Sequence, residues 1–409
     1  MKIEINEIND SIKDYLLKTN WHLIECQDSG LFFYAKKRDG EELPKISGHS
    51  KSKNPREPFI YDSVNEKFLS LEKVIAKAKN IFEKNYKGID PVNVINKNGD
   101  TNFIGAPIQA LDNIIVGNDS FADNPYFIIQ PTIRENAINK VGNKVGVSSS
   151  FITLSSQRIN SNLQGYITDI DNWLSFLSKI GLNLFEVFLY PNSLWDAGEK
   201  MKGVALTAYS GRLQLGDFVF VNEIQNKSNL FIHDVNFGLE RILWCINKRE
   251  NYFDSFNPIS YSKEFTNKQL DLIRTASLIF FSGGKGGSKN NEQNSRDKKY
   301  DGIPRITREI ISTFVAETKT VEVIHLLEYY FSFWSNFYSS NLSLENFKSE
   351  ILREMYFAYN KMLCDSLGVK VNPNDKFIFE NPNAFINNCL ADTNRKIPYG
   401  KIKSILSKP

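Results

Sequence analysis

The sequence predicts an α+β protein: a sheet-rich, antiparallel core with flanking helices, followed by a helical region. Three observations carry this. From about residue 90 to 240, short apolar and β-branched runs bounded by polar turns dominate. After Gly238 the periodicity becomes helical. The strand-like runs do not alternate with helices in the βαβ rhythm of a doubly wound nucleotide fold, so antiparallel pairing is expected. We divide the chain into a small α/β N-terminal appendage (1–65), a sheet domain (66–258) and a helical domain (259–409).

Within the appendage, Ile5 to Lys18 has helical spacing and Leu31 to Ala35 reads as a strand. Lys45 to Pro58 is polar and carries Gly48, Pro55 and Pro58, so it reads as a loop. Leu71, Val74, Ile75, Ala78 and Phe82 mark one face of a helix from about Leu69 to Tyr86. Gly88 and Asp90-Pro91 end it. Tyr126 to Ile129 and Leu184 to Tyr190 read as strands, and Asp217 to Ile224 with Asn229 to Val235 as an adjacent pair. A helix from Asp171 to Ile180 interrupts them, and further helices are expected at Leu239 to Lys248, Leu270 to Phe280 and from Ile303 to about Leu367.

Composition bounds the function. The 409 residues hold 50 basic and 47 acidic side chains, a net charge of +3, which demands no nucleic-acid partner. Four cysteines, Cys26, Cys245, Cys364 and Cys389, are too scattered for a zinc site and point to a reducing compartment. No run of about 18 apolar residues is present, so no membrane span is expected. The start has no apolar segment of signal-peptide length, and a cytoplasmic location is expected.

Three places could handle an anionic substrate. In Asp234-Val-Asn-Phe-Gly238-Leu-Glu240-Arg241 a strand runs into Gly238, which permits close backbone approach to a ligand. Arg241 then stands in a first helical turn, where a cation opposes the helix dipole. A phosphate contact would explain that placement, and a surface ion pair is the alternative. In Gln130-Pro-Thr-Ile-Arg134 a strand ends in an arginine, and a second strand restarts near Phe151. Such a hairpin can hold a nucleotide, with Arg134 on a phosphate and Phe151 under the base, or be an ordinary salt-bridged hairpin. Trp195, beside Gly198, could wall a small pocket or simply pack. The glycine-rich stretch Gly283 to Gly287 lacks the spacing of a phosphate loop and reads as a mobile loop.

In their order, arginine hairpin, tryptophan turn, paired strands and Gly-Leu-Glu-Arg helix, these pieces resemble the catalytic domain of class II aminoacyl-tRNA synthetases, and specifically alanyl-tRNA synthetase. The resemblance covers roughly residues 72–320. Asn102 to Gly117 is similar to the segment before motif 2, Thr132-Ile-Arg134 to motif 2, Asp234 to Arg241 to motif 3, and Asn251 to Ile259 to the segment after it. Ile273 to Ala276 and Tyr300 to Arg308 resemble the start of the helical domain that reads the acceptor stem. The resemblance implies a class II synthetase-like antiparallel sheet core and amino-acid adenylation with ATP and Mg2+. It implies Arg134 at the α-phosphate and substrate carboxylate, and Arg241 at the γ-phosphate. Phe151 would complete the ATP site. Asp234 would take the substrate ammonium, with Trp195, Asp217 and Gly238 around the amino acid. Asn291 and Arg305 would contact tRNA. No protein metal site is implied.

The departures are specific. Val147 to Leu154 lacks the basic residues and the glutamate of the motif 2 loop, Asn236 replaces the first motif 3 glycine, and Asp217 stands where the family has asparagine. Lys200 to Ala205 replaces the proline- and cysteine-rich turn, and no zinc-ligand set of an editing domain is present. The expected partners are a small amino acid such as alanine and a tRNA acceptor. A carrier-protein or metabolite acceptor, or a non-catalytic tRNA- or protein-binding relative, stays open, as does monomer against homodimer.

Overall fold

The computed structural model describes residues 4–46, 68–96, 101–111, 125–142, 146–159, 162–196, 201–225, 227, 230–257, 259–284, 302–318, 323–338 and 342–367. Nine strands form one sheet. In chain order they are β1 (Trp21–Glu25), β2 (Phe32–Lys36), β3 (Lys87–Ile89), β4 (Tyr126–Ile133), β5 (Ser150–Ile159), β6 (Val187–Asp196), β7 (Met201–Ser210), β8 (Leu213–Ile224) and β9 (Ile232–Gly238). The spatial order is β1-β2-β6-β7-β8-β9-β5-β4-β3. Every neighbouring pair is antiparallel except β3 with β4.

The described helices are α1 (Ile5–Lys18), α2 (Leu71–Phe82), α3 (Leu163–Ile180), α4 (Leu239–Asn247), α5 (Ile259–Glu264), α6 (Asn267–Phe281), α7 (Gly302–Thr318), α8 (Ile324–Ser335) and α9 (Leu344–Leu367). The adjacent strands expected around Asp217 to Val235 are present as β8 and β9, paired with Asp217 opposite Asn236. The segment set apart as an appendage contributes β1 and β2 to the same sheet, with Tyr34 of β2 opposite Leu189 of β6. Its helix α1 buries Ile8, Ile12 and Leu16 in the main core. Lys200 to Ala205 lies mostly in β7, not in a turn. Helix α3 begins earlier than its apolar pattern suggests. Asn162 caps its start by accepting from Gly165 N at 2.9 Å. Gly181 ends it at φ +108°, a conformation suited to glycine.

Alternation along the strands sorts the side chains onto two faces. One face packs under helices: Trp173 of α3 lies over Phe237 at 5.1 Å and donates Nε1 to Ser156 Oγ at 2.8 Å. Charged groups on this face are satisfied. Asp169 of α3 accepts from Arg158 Nη2 at 2.9 Å, from Tyr86 OH at 2.5 Å, and pairs with His233 Nδ1 at 3.0 Å. Burial would raise the Asp169 carboxyl, but His233 and Arg158 outweigh it and hold it below the usual range. The other face carries the polar parities of β5, β8 and β9, and is taken up below.

The join between sheet and helical region rests on one buried ion pair. The β5–β9 ladder begins at Thr153 opposite Gly238, so Ile152 N lies beyond the end of β9. Glu240 of α4 accepts that N–H with both carboxylate oxygens at 3.0 Å. Arg274 of α6, fully buried, meets Glu240 Oε1 at 2.5 Å and donates Nη1 to Ser150 O at 3.1 Å. The rings of Phe256, Phe333 and Trp334 lie 4.8, 5.4 and 5.4 Å from the guanidinium. One turn earlier, Asp271 accepts from Ser149 N at 2.8 Å and from Ser149 Oγ. Side chains thus continue the hydrogen bonding of β5 after its neighbour has turned away.

Removing one partner leaves a buried charge unpaired. Glu240→Ala or Arg274→Ala should each cost about 3–5 kcal/mol in denaturant unfolding. The apolar pair Glu240→Leu with Arg274→Met should cost less than the sum. Losses below about 1 kcal/mol for both single variants would show that the pair does not hold this junction.

Candidate active site

The polar face is built from alternate residues of adjacent strands. β5 contributes Phe151, Thr153, Ser155 and Gln157, and β9 contributes Gly238, Asn236 and Asp234 opposite the last three of these. β8 brings Asp217 opposite Asn236 and Val219 opposite Asp234. β7 adds Thr207 opposite Asp217. These residues make a recessed floor with three chemically distinct zones.

At one end lie two arginines. Arg134 follows β4, is exposed at the rim, and sits 5.0 Å over the Phe151 ring. Its Nε is 3.5 Å from Gly105 O. Arg241, in the first turn of α4, donates Nε to Gly146 O at 3.0 Å and Nη1 to Gln214 O at 2.9 Å. Two backbone carbonyls therefore orient a cation that the helix dipole disfavours. Neither arginine forms an ion pair with a carboxylate among the described residues. Partial burial lowers the Arg134 pKa, Arg241 lowers it further, and Asp217 opposes both. The two guanidiniums thus share one electrostatic neighbourhood. Expected roles for Arg134 and Phe151 need one qualification, because the guanidinium already covers one face of the ring.

The middle zone is acidic. Asp217 accepts from Thr207 Oγ1 at 2.6 Å and Gln214 Nε2 at 2.8 Å. Burial raises its carboxyl above the usual range, against the pull of these bonds and of both arginines. Asp234 is almost fully buried. It accepts from Gln157 Nε2 at 3.1 Å and Asn236 Nδ2 at 2.6 Å. Ser155 Oγ donates to Asn236 Oδ1 at 2.7 Å and receives Gln157 Nε2, which closes a ring of four side chains. Burial, with the charge of Asp217 added, pushes the Asp234 carboxyl up to about 6.

The far zone is apolar. Val219, Ala205, Val221 and Ile232 form a cluster roofed by Ile108 and Leu111. Trp195 is half-buried against this cluster, carried by β6 just past a bulge that begins at Asn192. Gly238 has φ −74°, and a Cβ there would stand 3.7 Å from Arg241 Cδ, so the fold itself does not require glycine. Arg305 lies on α7, its side chain outside the described part, and Asn291 lies outside the described residues.

Gln157, Thr207, Gln214 and Ser155 were not singled out from the sequence. Their signal was the parity of β5, polar at 153, 155 and 157 against apolar at 152 and 154, which also fits a strand facing water. A cavity of about 650 Å3 lies elsewhere, between α2, α8 and the helix-covered side of β4, lined by Leu71, Ile75, Phe127, Ile129, Phe333 and Phe337. None of the charged floor residues borders it. The convergence of two arginines and two carboxylates therefore locates the candidate site on the polar face.

Comparison with known proteins gives partial likenesses. No family model matches the chain. Alanine--tRNA ligase of Korarchaeum cryptofilum is 26% identical over 132 residues, covering 30% of this chain and 15% of that protein. The match thus spans well under a fifth of the curated relative's length. Two structures titled as pyrrolysyl tRNA synthetase from Desulfitobacterium hafniense overlay 46% and 44% of this chain and 70% of each of theirs. Their TM-scores are 0.35 and 0.34 at 15% and 13% identity. Overlays this loose leave the fold and site to be read from the chain's own residues.

Asp234 supplies a pH test. Its pKa rises from 3.8 to about 6 on folding, so its contribution to stability is full below about pH 4 and is lost as pH rises through about 6. Roughly two units correspond to about 3 kcal/mol. Asp234→Asn should remove that component from unfolding free energies measured between pH 4 and 7. An identical pH profile in the variant would show that this carboxyl does not titrate there.

Proposed function

We propose that the chain activates a small α-amino acid, alanine or similar, with ATP and passes the aminoacyl group to an acceptor, tRNA in the first instance. The observation that carries this is the pair Arg134 and Arg241: two oriented guanidiniums at one end of a recessed floor, without carboxylate partners. Unpaired cations so placed call for an anion with several charged oxygens. Asp234, further along the same floor, suits an ammonium, and the apolar zone beside it suits a small side chain. The order of these zones fits phosphates, carboxylate, ammonium and side chain in line. The likeness to an alanine--tRNA ligase supports the same reading.

In the proposed reaction a carboxylate oxygen of the amino acid attacks the α-phosphorus of ATP. The bond to the β-phosphate oxygen breaks and pyrophosphate leaves. An acceptor hydroxyl then attacks the acyl carbon, and AMP departs with the electron pair of its ester bond. Arg134 would hold the α-phosphate and Arg241 the γ-phosphate, where charge is largest. Mg2+ would neutralise phosphate charge. Among the described residues no three His, Cys, Asp or Glu converge on a metal position, so its oxygen ligands would come largely from ATP. No described helix is long and apolar enough to cross a membrane.

ATP–pyrophosphate exchange across a panel of amino acids tests this. Exchange should peak with a small apolar amino acid, and Arg134→Ala or Arg241→Ala should each reduce it at least about 100-fold. A second reading, a non-catalytic binding relative, is favoured by the hydrogen bonds that already engage both Asp234 oxygens. Absence of exchange with every amino acid, together with unchanged ATP affinity in Arg241→Ala, would decide for it. Acylation of tRNA, against a carrier protein or small metabolite, identifies the acceptor.

A further inference from the structure

Gln157 has a buried polar atom that the fold leaves empty. The residue is 1% exposed and stands directly opposite Asp234 across the β5–β9 ladder. Its Nε2 is engaged by Ser155 Oγ and by Asp234 Oδ1. Its Oε1 is buried and has no hydrogen-bond partner. Turning the amide over does not cure this, because oxygen would then face the Asp234 carboxylate, acceptor against acceptor. A buried acceptor without a donor is costly to a fold, so a lasting one points to something that binds there. His233 Nε2 and Arg274 Nε are also without partners, but they lie among the helix-covered core groups. Gln157 Oε1 belongs to the floor that carries Arg134, Arg241 and Asp217.

We propose that Gln157 Oε1 and the Asp234 carboxylate together seat the amino group of the substrate, a primary ammonium with three N–H donors. This rests on reading the floor as an amino-acid-activating site. Each Asp234 oxygen receives one amide hydrogen, from Gln157 or from Asn236, and keeps a second lone pair. One ammonium hydrogen goes to Gln157 Oε1 and the others to Asp234. Gln157 therefore does two things: it holds the carboxylate through Nε2 and binds substrate through Oε1. The seat selects primary amines, since each N-methyl group removes a donor and adds bulk in a buried place.

The experiment is calorimetric binding to the full chain in the presence of a non-hydrolysable ATP analogue. The ligands are the amino acid chosen by the exchange assay, its N,N-dimethyl derivative and its des-amino acid. Gln157→Met keeps the length of the side chain and removes its polar atoms. It should weaken amino-acid binding about ten-fold or more and leave des-amino acid and ATP-analogue binding unchanged. Thermal melting reports whether the variant is folded. If it is not, the wild-type series decides, the N,N-dimethyl derivative being expected to bind at least about ten-fold more weakly than the parent. Equal affinities of parent and dimethyl ligands overturn the seat. So does a Gln157→Met loss shared equally by the des-amino acid, which would mark a purely structural role, or unchanged amino-acid binding, which would mean that water fills Oε1. Failure of the wild type to bind any amino acid would instead overturn the adenylation reading and the seat with it.

Discussion

The contact between Glu240 and Arg274 governs how the rest of the molecule is arranged. β9 cannot both end in the helix that carries Arg241 and continue to satisfy β5. Glu240 resolves the conflict by accepting the Ile152 N–H, and Arg274 takes the Ser150 carbonyl and the carboxylate together. Two charges without solvent are stable only when paired and hydrogen-bonded, so the geometry of β5, α4 and α6 is fixed jointly. Because α6 packs on α7, α8 and α9, the helical region is tied to the sheet at the end where the arginines emerge.

That constraint has a consequence for charge. A helix start favours anions, yet Arg241 sits there, held by Gly146 O and Gln214 O. Glu240 beside it is fully committed to Arg274 and Ile152, so it cannot neutralise Arg241. Arg134 rests on the Phe151 ring, where a cation is accommodated without a counterion. The fold spends its local acid on the junction and leaves two guanidiniums facing the floor.

The two sides of the sheet treat buried ionisable groups in opposite ways. Under the helices, Asp169 receives strong donors and its carboxyl is held low. On the floor, Asp217 and Asp234 are bonded mainly by hydroxyls and amides, and both are held high. Neutral donors compensate desolvation less than cations do. A carboxylate kept in that state gains most from an incoming cation, which is why the face is suited to an ammonium and the core side is not.

Much of the fold was legible in the sequence. The periodicity of Ile5 to Lys18, the paired runs from Asp217 to Val235 and the switch to helical spacing after Gly238 depend on local alternation, which sequence displays directly. Arg134, Phe151, Asp234 and Arg241 stood out because charged or aromatic residues at strand and helix ends are visible in one dimension. The sequence could not show that β1 and β2 extend the main sheet, since joining β2 to β6 is a pairing over more than 150 residues. Nor could it show that the first turns of α3 are helical, because the polarity of Asp169 is offset only by Arg158, Tyr86 and His233 brought from elsewhere. Gln157 reads in sequence as one more polar residue on a strand. Only the tertiary structure, by setting it against Asp234 across the ladder and burying its carbonyl oxygen, makes it a part of the site.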